Sequence, residues 1–239
     1  VTIGKDVNTI GATAFARTAV QGFKLDGGND SYKLSPNADY ILSLDGTTLV
    51  MVAPSVKGVF ELNDSKVTTI GKGAFAYAMD ITEVIIPSVT IVEDSAFESA
   101  TSLTKVQLGT LEKIGAYAFF KTQITELPSL NNIEEIGAYA FAYTDLVSVT
   151  ILPNIVVGEG AFCECDYLET VVIGEGVTLG MGSFMLSRNE NFEIVRDETV
   201  LDKKVYVYKF LTYYHSISFN PFFLKNSFVR ENGLLPKKP

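Results

Sequence analysis

The sequence has no apolar run of the ~18–20 residues needed to cross a bilayer as a helix. It has one histidine, two cysteines, and fewer cations than anions, 19 Lys and Arg against 28 Asp and Glu in 239 residues. Each shortage excludes something. The missing run argues against membrane insertion within this chain. The net charge of −9 argues against nucleic acid, whose phosphates need clustered Lys and Arg, and against docking on anionic lipid. The start, Val1-Thr2-Ile3-Gly4, lacks the basic region and long apolar core of a signal peptide and lacks an initiator Met. It reads as a mature or trimmed form whose export signal would lie upstream.

The scarce reactive residues are also poorly arranged for chemistry. His215, in Tyr213-Tyr214-His215-Ser216, has no partner at a spacing that makes a catalytic triad or a metal site. Cys163 and Cys165 stand at i and i+2, a poor geometry for a mutual disulfide, and no second Cys or His pair completes a zinc site. The redox compartment is left open, and the fold does not depend on disulfides. Asp26-Gly27-Gly28-Asn29-Asp30 lacks the alternating carboxylates and distal Glu of a calcium loop and reads as a tight turn. No catalytic residue, metal or cofactor is assigned.

What the chain does have is a repeat. Ile114-Gly115-Ala116-Tyr117-Ala118-Phe119 recurs as Ile136-Gly137-Ala138-Tyr139-Ala140-Phe141, with looser copies ending at Phe15, Phe75, Phe97, Phe162 and Phe184. From Phe75 to Phe184 the intervals are 22, 22, 22, 21 and 22. Five or six residues after each Phe from Phe75 to Phe162 comes a segment with apolar residues at its first, fourth and sixth positions, the copy at Ile124-Thr125-Glu126-Leu127 keeping only the first and fourth. These segments begin at Ile81, Leu103, Ile124, Leu146 and Leu168. Alternation at positions 3 to 6 is the period-2 mark of a half-buried strand. A coil of 22 residues cannot bury its own apolar side. Stacked coils can, because each strand pairs in parallel with the next and the apolar columns fuse into one core. The Phe residues belong inside, and the stretch before each one has room for only a turn or two of 3₁₀ or α-helix. Gly71, Gly115 and Gly137 recur once per coil and serve turns. Cys165 falls in the slot that holds Ala78, Ala100, Thr122 and Thr144 in other coils, so it acts as a small core residue.

The run IGxxAF followed by LxxVxI resembles the BspA-type leucine-rich repeats of surface and secreted proteins of host-associated bacteria. The resemblance implies an α/β repeat solenoid, a right-handed stack of short parallel strands and short helical segments. It also implies a protein found outside the cell or on its surface, attached to host proteins or to other cells. Residues 1–186 are then the solenoid, with a β-hairpin insertion at about 23–60 in which Tyr40 to Leu44 and Thr47 to Val52 flank Asp45-Gly46. Residues 187–239 would hold a degenerate copy from Asn189 to Tyr208 and an aromatic-rich C-terminal cap. The cap is the leading reading of that tail, and the alternative is an aromatic contact patch for a partner or a neighbouring domain.

What remains for function is surface. Positions 3 and 5 of each strand point away from the core and form two columns. One is Glu83, Lys105, Glu126, Ser148 and Thr170; the other is Ile85, Gln107, Pro128, Thr150 and Val172. They make either a ligand-facing ladder or a solvated sheet face. Neither column holds an aromatic residue, which weakens the ladder, since binding hot spots favour Tyr, Trp and Arg. Tyr77, Tyr117, Tyr139 and Tyr143, near the Phe corner, form a rival patch. The expected function is a non-catalytic binding or adhesion module for a protein ligand, such as a host extracellular-matrix or cell-surface protein. The alternative is an architectural spacer with no ligand of its own.

Overall fold

The structure, a computed structural model, describes residues 1–185 and the backbone of a strand at Glu193–Val195. In chain order the strands are β1 Thr2–Ile3, β2 Lys24–Leu25, β3 Tyr32–Leu34, β4 Tyr40–Ser43, β5 Thr48–Val52, β6 Gly58–Glu61, β7 Thr69–Ile70, β8 Ile81–Ile86 and β9 Ile91–Val92. They continue as β10 Lys105–Leu108, β11 Lys113–Ile114, β12 Glu135–Ile136, β13 Ser148–Ile151, β14 Val156–Val157, β15 Thr170–Ile173, β16 Thr178–Leu179 and β17 Glu193–Val195. Except at 124–136, each full coil contributes a longer strand to one face and a two-residue strand to another. The two-residue strands β7, β9, β11, β12, β14 and β16 pair in parallel, coil after coil. The longer strands β6, β8 and β10 form one parallel ladder, and β13, β15 and β17 form a second.

The hairpin is present where the Asp-Gly turn places it. β4 and β5 pair antiparallel with Ile41 opposite Met51, and Gly46 turns with φ +81°. The Asp45 carboxylate accepts from Ser43 Oγ (2.6 Å), Thr47 N (3.0 Å) and Thr47 Oγ1 (2.9 Å). The insertion joins the stack, because β5 pairs in parallel with β7 and continues the sheet. The Asp26 to Asp30 segment is a turn: Asn29 N–H donates to the Asp26 carbonyl (3.1 Å), and the Asn29 side chain ties it back to the carbonyls of Gly4 and Val7.

Phe75, Phe97, Phe119, Phe141, Phe162 and Phe184 form one internal column. Successive ring centroids lie 4.9, 5.0, 5.1, 5.4 and 5.2 Å apart, with interplanar angles between 4° and 14°. Offset parallel stacking at this spacing is a favourable geometry for aromatic rings. Phe60 and Tyr40 close the upper end edge-on. Phe15 is not in this column; it packs on Phe23 (5.5 Å) in a smaller core built from Ile3, Phe23, Tyr32, Ile41, Met51 and Ala53.

The expected helical segments are absent: the described residues contain no helix, and the architecture is all strands and turns. The cause lies in the backbone amides around each Phe. The amides of Tyr117, Phe119 and Lys121 donate to the carbonyls of Ala138, Ala140 and Ala142 in the next coil, at 2.9, 2.7 and 3.0 Å. The amides between them close tight turns within the coil: Ala118 to Gly115, Phe120 to Tyr117 and Thr122 to Phe119. A helix uses every amide on its own chain, whereas here every second amide binds the neighbour. The alternation also requires left-handed backbone two residues before and two after Phe119 and Phe141. These positions are Tyr117 and Lys121 (φ 57° and 57°), and Tyr139 and Tyr143 (φ 55° and 59°).

Gly137 opens such a turn, yet its φ is not positive; it is glycine because a Cβ there would collide with the Ala116 amide of the preceding coil. The degenerate copy from Asn189 and the aromatic tail lie outside the described residues, apart from the backbone of β17, which continues the ladder beside β15. His215 lies outside them as well.

Candidate binding surface

The strand faces bring most of the expected columns together. Lys105 stands opposite Glu83, and Gln107 opposite Ile85. Ser148 stands opposite Thr170, and Thr150 opposite Val172. The columns also begin one coil earlier than the Phe spacing indicates, with Val59 beside Glu83 and Glu61 beside Ile85. That coil follows the hairpin and has no IGxxAF run, but apolar Phe60 and Leu62 carry the alternation.

Part of this face is internally satisfied. Glu83 Oε1 takes an ion pair from Lys105 Nζ (2.9 Å) and a hydrogen bond from Gln107 Nε2 (2.6 Å). These two donors hold the Glu83 carboxyl below its ordinary pKa. An exposed pair of this kind contributes little to stability; its effect is to fix three side chains across both columns.

Glu126 and Pro128 do not continue the ladder. The strand expected from Ile124 to Leu127 does not form. Two features of the coil explain this. Ile136 follows Ile124 by twelve residues, where the equivalent intervals 81 to 92, 103 to 114, 146 to 157 and 168 to 179 are eleven, so one residue is surplus. Pro128 also has no amide to give a ladder. The face is therefore split, with β10 ending one ladder and β13 beginning the next.

At the Phe corner the tyrosines are partly joined. Tyr117 and Tyr139 stack at 5.1 Å. Phe120, unremarked in the repeat pattern because it follows the hexapeptide, links Tyr117 (5.4 Å) to Tyr143 (5.4 Å). Lys121 Nζ lies 5.1 Å from the Phe120 ring centroid and 5.3 Å from that of Tyr143, within cation–π range. Tyr139 donates to Glu159 (2.8 Å), which raises its phenol pKa. Tyr77 stands apart under the Arg17 guanidinium (4.9 Å).

Both cysteines are buried, and Cys165 sits where other coils place a small core residue. Burial pushes the Cys165 thiol up to about 11 and raises that of Cys163 as well. Cys165 Sγ lies 3.3 Å from Thr144 Oγ1 and 3.2 Å from the Phe141 carbonyl. Among the described residues no three His, Cys, Asp or Glu side chains are grouped to hold a metal ion, and no helix is long and apolar enough to cross a membrane.

Stacked parallel strands around a phenylalanine column, with a broad outward face, define a leucine-rich-repeat-like solenoid. The chain belongs to the BspA-type leucine-rich repeat family, which it matches in six copies over residues 68–191. Leucine-rich repeats generally mediate protein–protein interaction. No curated protein matches the chain. Among solved structures it is similar to the pneumococcal vaccine antigen PcpA, at 18% identity and a TM-score of 0.48, covering 83% of this chain and 45% of that one. A leucine-rich repeat protein from Bacteroides ovatus is similar at 22% identity and a TM-score of 0.46, covering 69% of this chain and 45% of that one. Another from Eubacterium ventriosum is similar at 17% identity and a TM-score of 0.44, covering 80% and 62%. The chain thus spans less than two thirds of the length of each.

Proposed function

We propose that this chain is a non-catalytic binding module, displayed outside the cell or on its surface, that engages a protein ligand through its strand face. The observation that carries this reading is the register of the outward columns. Parallel pairing sets Glu83 beside Lys105, Ile85 beside Gln107, Ser148 beside Thr170 and Thr150 beside Val172, so the coils present two rigid ladders, one on each side of the break at 124–131. Strands repeat about every 4.8 Å, and no coil offers more than two or three outward side chains. A face of this kind suits a protein or an extended chain better than a small metabolite, because a specific protein interface buries about 800 Å² per partner. Residues 1–186 are taken as the binding stack and 187–239 as a degenerate repeat and C-terminal cap. The cell-surface setting rests on the family.

The spacer reading draws on one observation: Glu83, Lys105 and Gln107 satisfy one another and leave that part of the face with little unmet polarity. A binding screen of the whole chain against extracellular-matrix and cell-surface proteins separates the two. The binding reading expects at least one saturable partner, whose affinity falls gradually with Glu83→Ala, Lys105→Ala, Gln107→Ala or Glu126→Ala and steeply when neighbouring strands are altered together. A partner insensitive to all of these changes moves the site elsewhere, with the Tyr117–Tyr143 corner next to be tested. No partner at all leaves the spacer.

A further inference from the structure

The break in the strand face is itself a feature that a ligand can use. We propose that the cleft between coil 124–131 and strand β13 is a docking slot for an extended peptide with alternating apolar and basic residues. The proposal deepens the binding reading above and rests on it.

Three observations converge there. The first is an open strand edge. The carbonyls of Val147, just before β13, and of Ile151, at its end, accept from the Glu169 and Gly174 amides of the following coil. Main-chain groups alternate sides along a parallel strand, so Ser148 and Thr150 turn their N–H and C=O groups toward coil 124–131. That coil gives them no partner. Its backbone bonds to the flanking long-strand segments are Gln123 N–H to the Leu103 carbonyl (2.9 Å) and Val147 N–H to the Thr125 carbonyl (3.4 Å), both outside the run from Ser148 to Thr150.

The second observation is a concavity of mixed lining beside that edge, in a coil that packs loosely on its neighbours. In β8, β13 and β15 the inward residues are buried: Val84, Ile86, Val149, Ile151, Val171 and Ile173. In β10, immediately before the break, Val106 and Leu108 are only half-buried. On the other side of the coil, beside β13, a concavity opens whose apolar part is Leu127, Pro128, Leu130 and Leu152, with Glu126, Asn131, Ser148 and Thr150 supplying polar groups. An open strand edge beside a concavity with apolar side chains suits β-strand addition. Main-chain hydrogen bonds give affinity, and alternate side chains meet the leucines of the concavity.

The third observation is charge. Glu126 is exposed at the rim, no Lys or Arg lines the concavity, and the chain carries −9 overall. Residues that alternate with the buried apolar ones point outward toward this field, so the complementary peptide carries Lys or Arg there.

The test uses the whole chain and a fluorescein-labelled hexapeptide of alternating Lys and Val, read by fluorescence anisotropy. Saturable binding is expected. The same peptide N-methylated at alternate residues, so that it cannot donate to the Ser148 and Thr150 carbonyls, binds about tenfold more weakly. Glu126→Lys weakens binding about threefold, and a Glu-Val peptide does not bind. In a chain whose residues 124–136 are replaced by a copy of 103–114, a regular strand fills the slot. This variant loses peptide binding while keeping its circular dichroism spectrum and melting temperature. Three results overturn the proposal: no binding by the parent chain, equal binding of the N-methylated peptide, or undiminished binding to the strand-filled variant. If a protein ligand still binds and responds to the Glu83 and Gln107 changes, the slot alone is wrong; if no protein ligand binds either, the binding reading fails with it.

Discussion

The rings of Phe119 and Phe141 stack 5.1 Å apart with their planes 4° from parallel, and both side chains are fully buried. Phe97 stacks on the other face of Phe119 at 5.0 Å. Truncation to Ala would therefore remove two stacking contacts and leave a cavity that backbone hydrogen bonds to the next coil prevent from collapsing. Phe119→Ala should cost about 3–5 kcal/mol, the range for buried Phe losses. Urea titration checks this, and a change within experimental error would mean that the column does not hold the coils together.

Gly137 is expected to be intolerant for a different reason. A Cβ there meets backbone, the Ala116 amide of the preceding coil, and backbone cannot rotate out of the way. Gly137→Ala should cost about 1–3 kcal/mol or more, as overpacking does. Gly11→Ala is the control, since nothing lies within 4 Å of its added methyl. Equal melting temperatures for the two variants would show that the coils separate more easily than the contact implies.

Much of this architecture is legible in the sequence. The Phe intervals give the coil length, and the alternation from Ile81 to Ile86 gives a strand with Val84 and Ile86 inside. The Asp45-Gly46 pair gives the hairpin. The turns before each Phe are less legible. Ala116, Ala118 and Glu98 suit a helix, and the hydrogen bonds that forbid one run between coils, so no single coil records them. The break at 124–131 is recorded, in the twelve-residue interval from Ile124 to Ile136 and in Pro128, but the apolar spacing of Ile124 and Leu127 masks it. The ring contacts of Phe120 depend on how coils 119 and 141 superpose, which a residue outside the repeated hexapeptide does not reveal.

Cys165 ties stability to pH. Its thiol is raised from 9.0 to about 11 in the folded state, chiefly by burial. A raised pKa means that the folded chain holds the proton more tightly than the unfolded chain. The resulting stability is complete below about pH 9 and is lost as pH rises toward 11. The loss should be on the order of 2 kcal/mol. Cys165→Thr, which copies the Thr144 slot of the previous coil, should remove this part of the pH dependence. Parallel stability curves for the two proteins between pH 8 and 11 (an interval of roughly the shift itself) would show that the thiol is not responsible.

The left-handed positions make a last prediction, because the same slot is filled by different residues. Two residues before each Phe stand Gly73, Ser95, Tyr117, Tyr139, Gly160 and Gly182, all with positive φ. A left-handed backbone costs a non-glycine residue roughly 1–2 kcal/mol, partly offset by the greater freedom glycine loses on folding. Tyr117 and Tyr139 recover some of that cost by stacking on each other. Ser95 has a φ of 56° and no aromatic contact, and its amide bond to the Ala116 carbonyl (2.8 Å) is a backbone interaction that any residue keeps. Ser95→Gly should therefore stabilise the chain, by up to about 1 kcal/mol. Ser95→Val should destabilise it, because a β-branched residue tolerates this conformation poorly. Tyr117→Gly should change stability less than either, since relief of backbone strain and loss of the Tyr139 stack oppose each other. Thermal unfolding of the three variants reads the order directly. If Ser95→Gly proves no more stable than Ser95→Val, the turns are not held left-handed, and the inter-coil hydrogen bonds that exclude a helix would need another explanation.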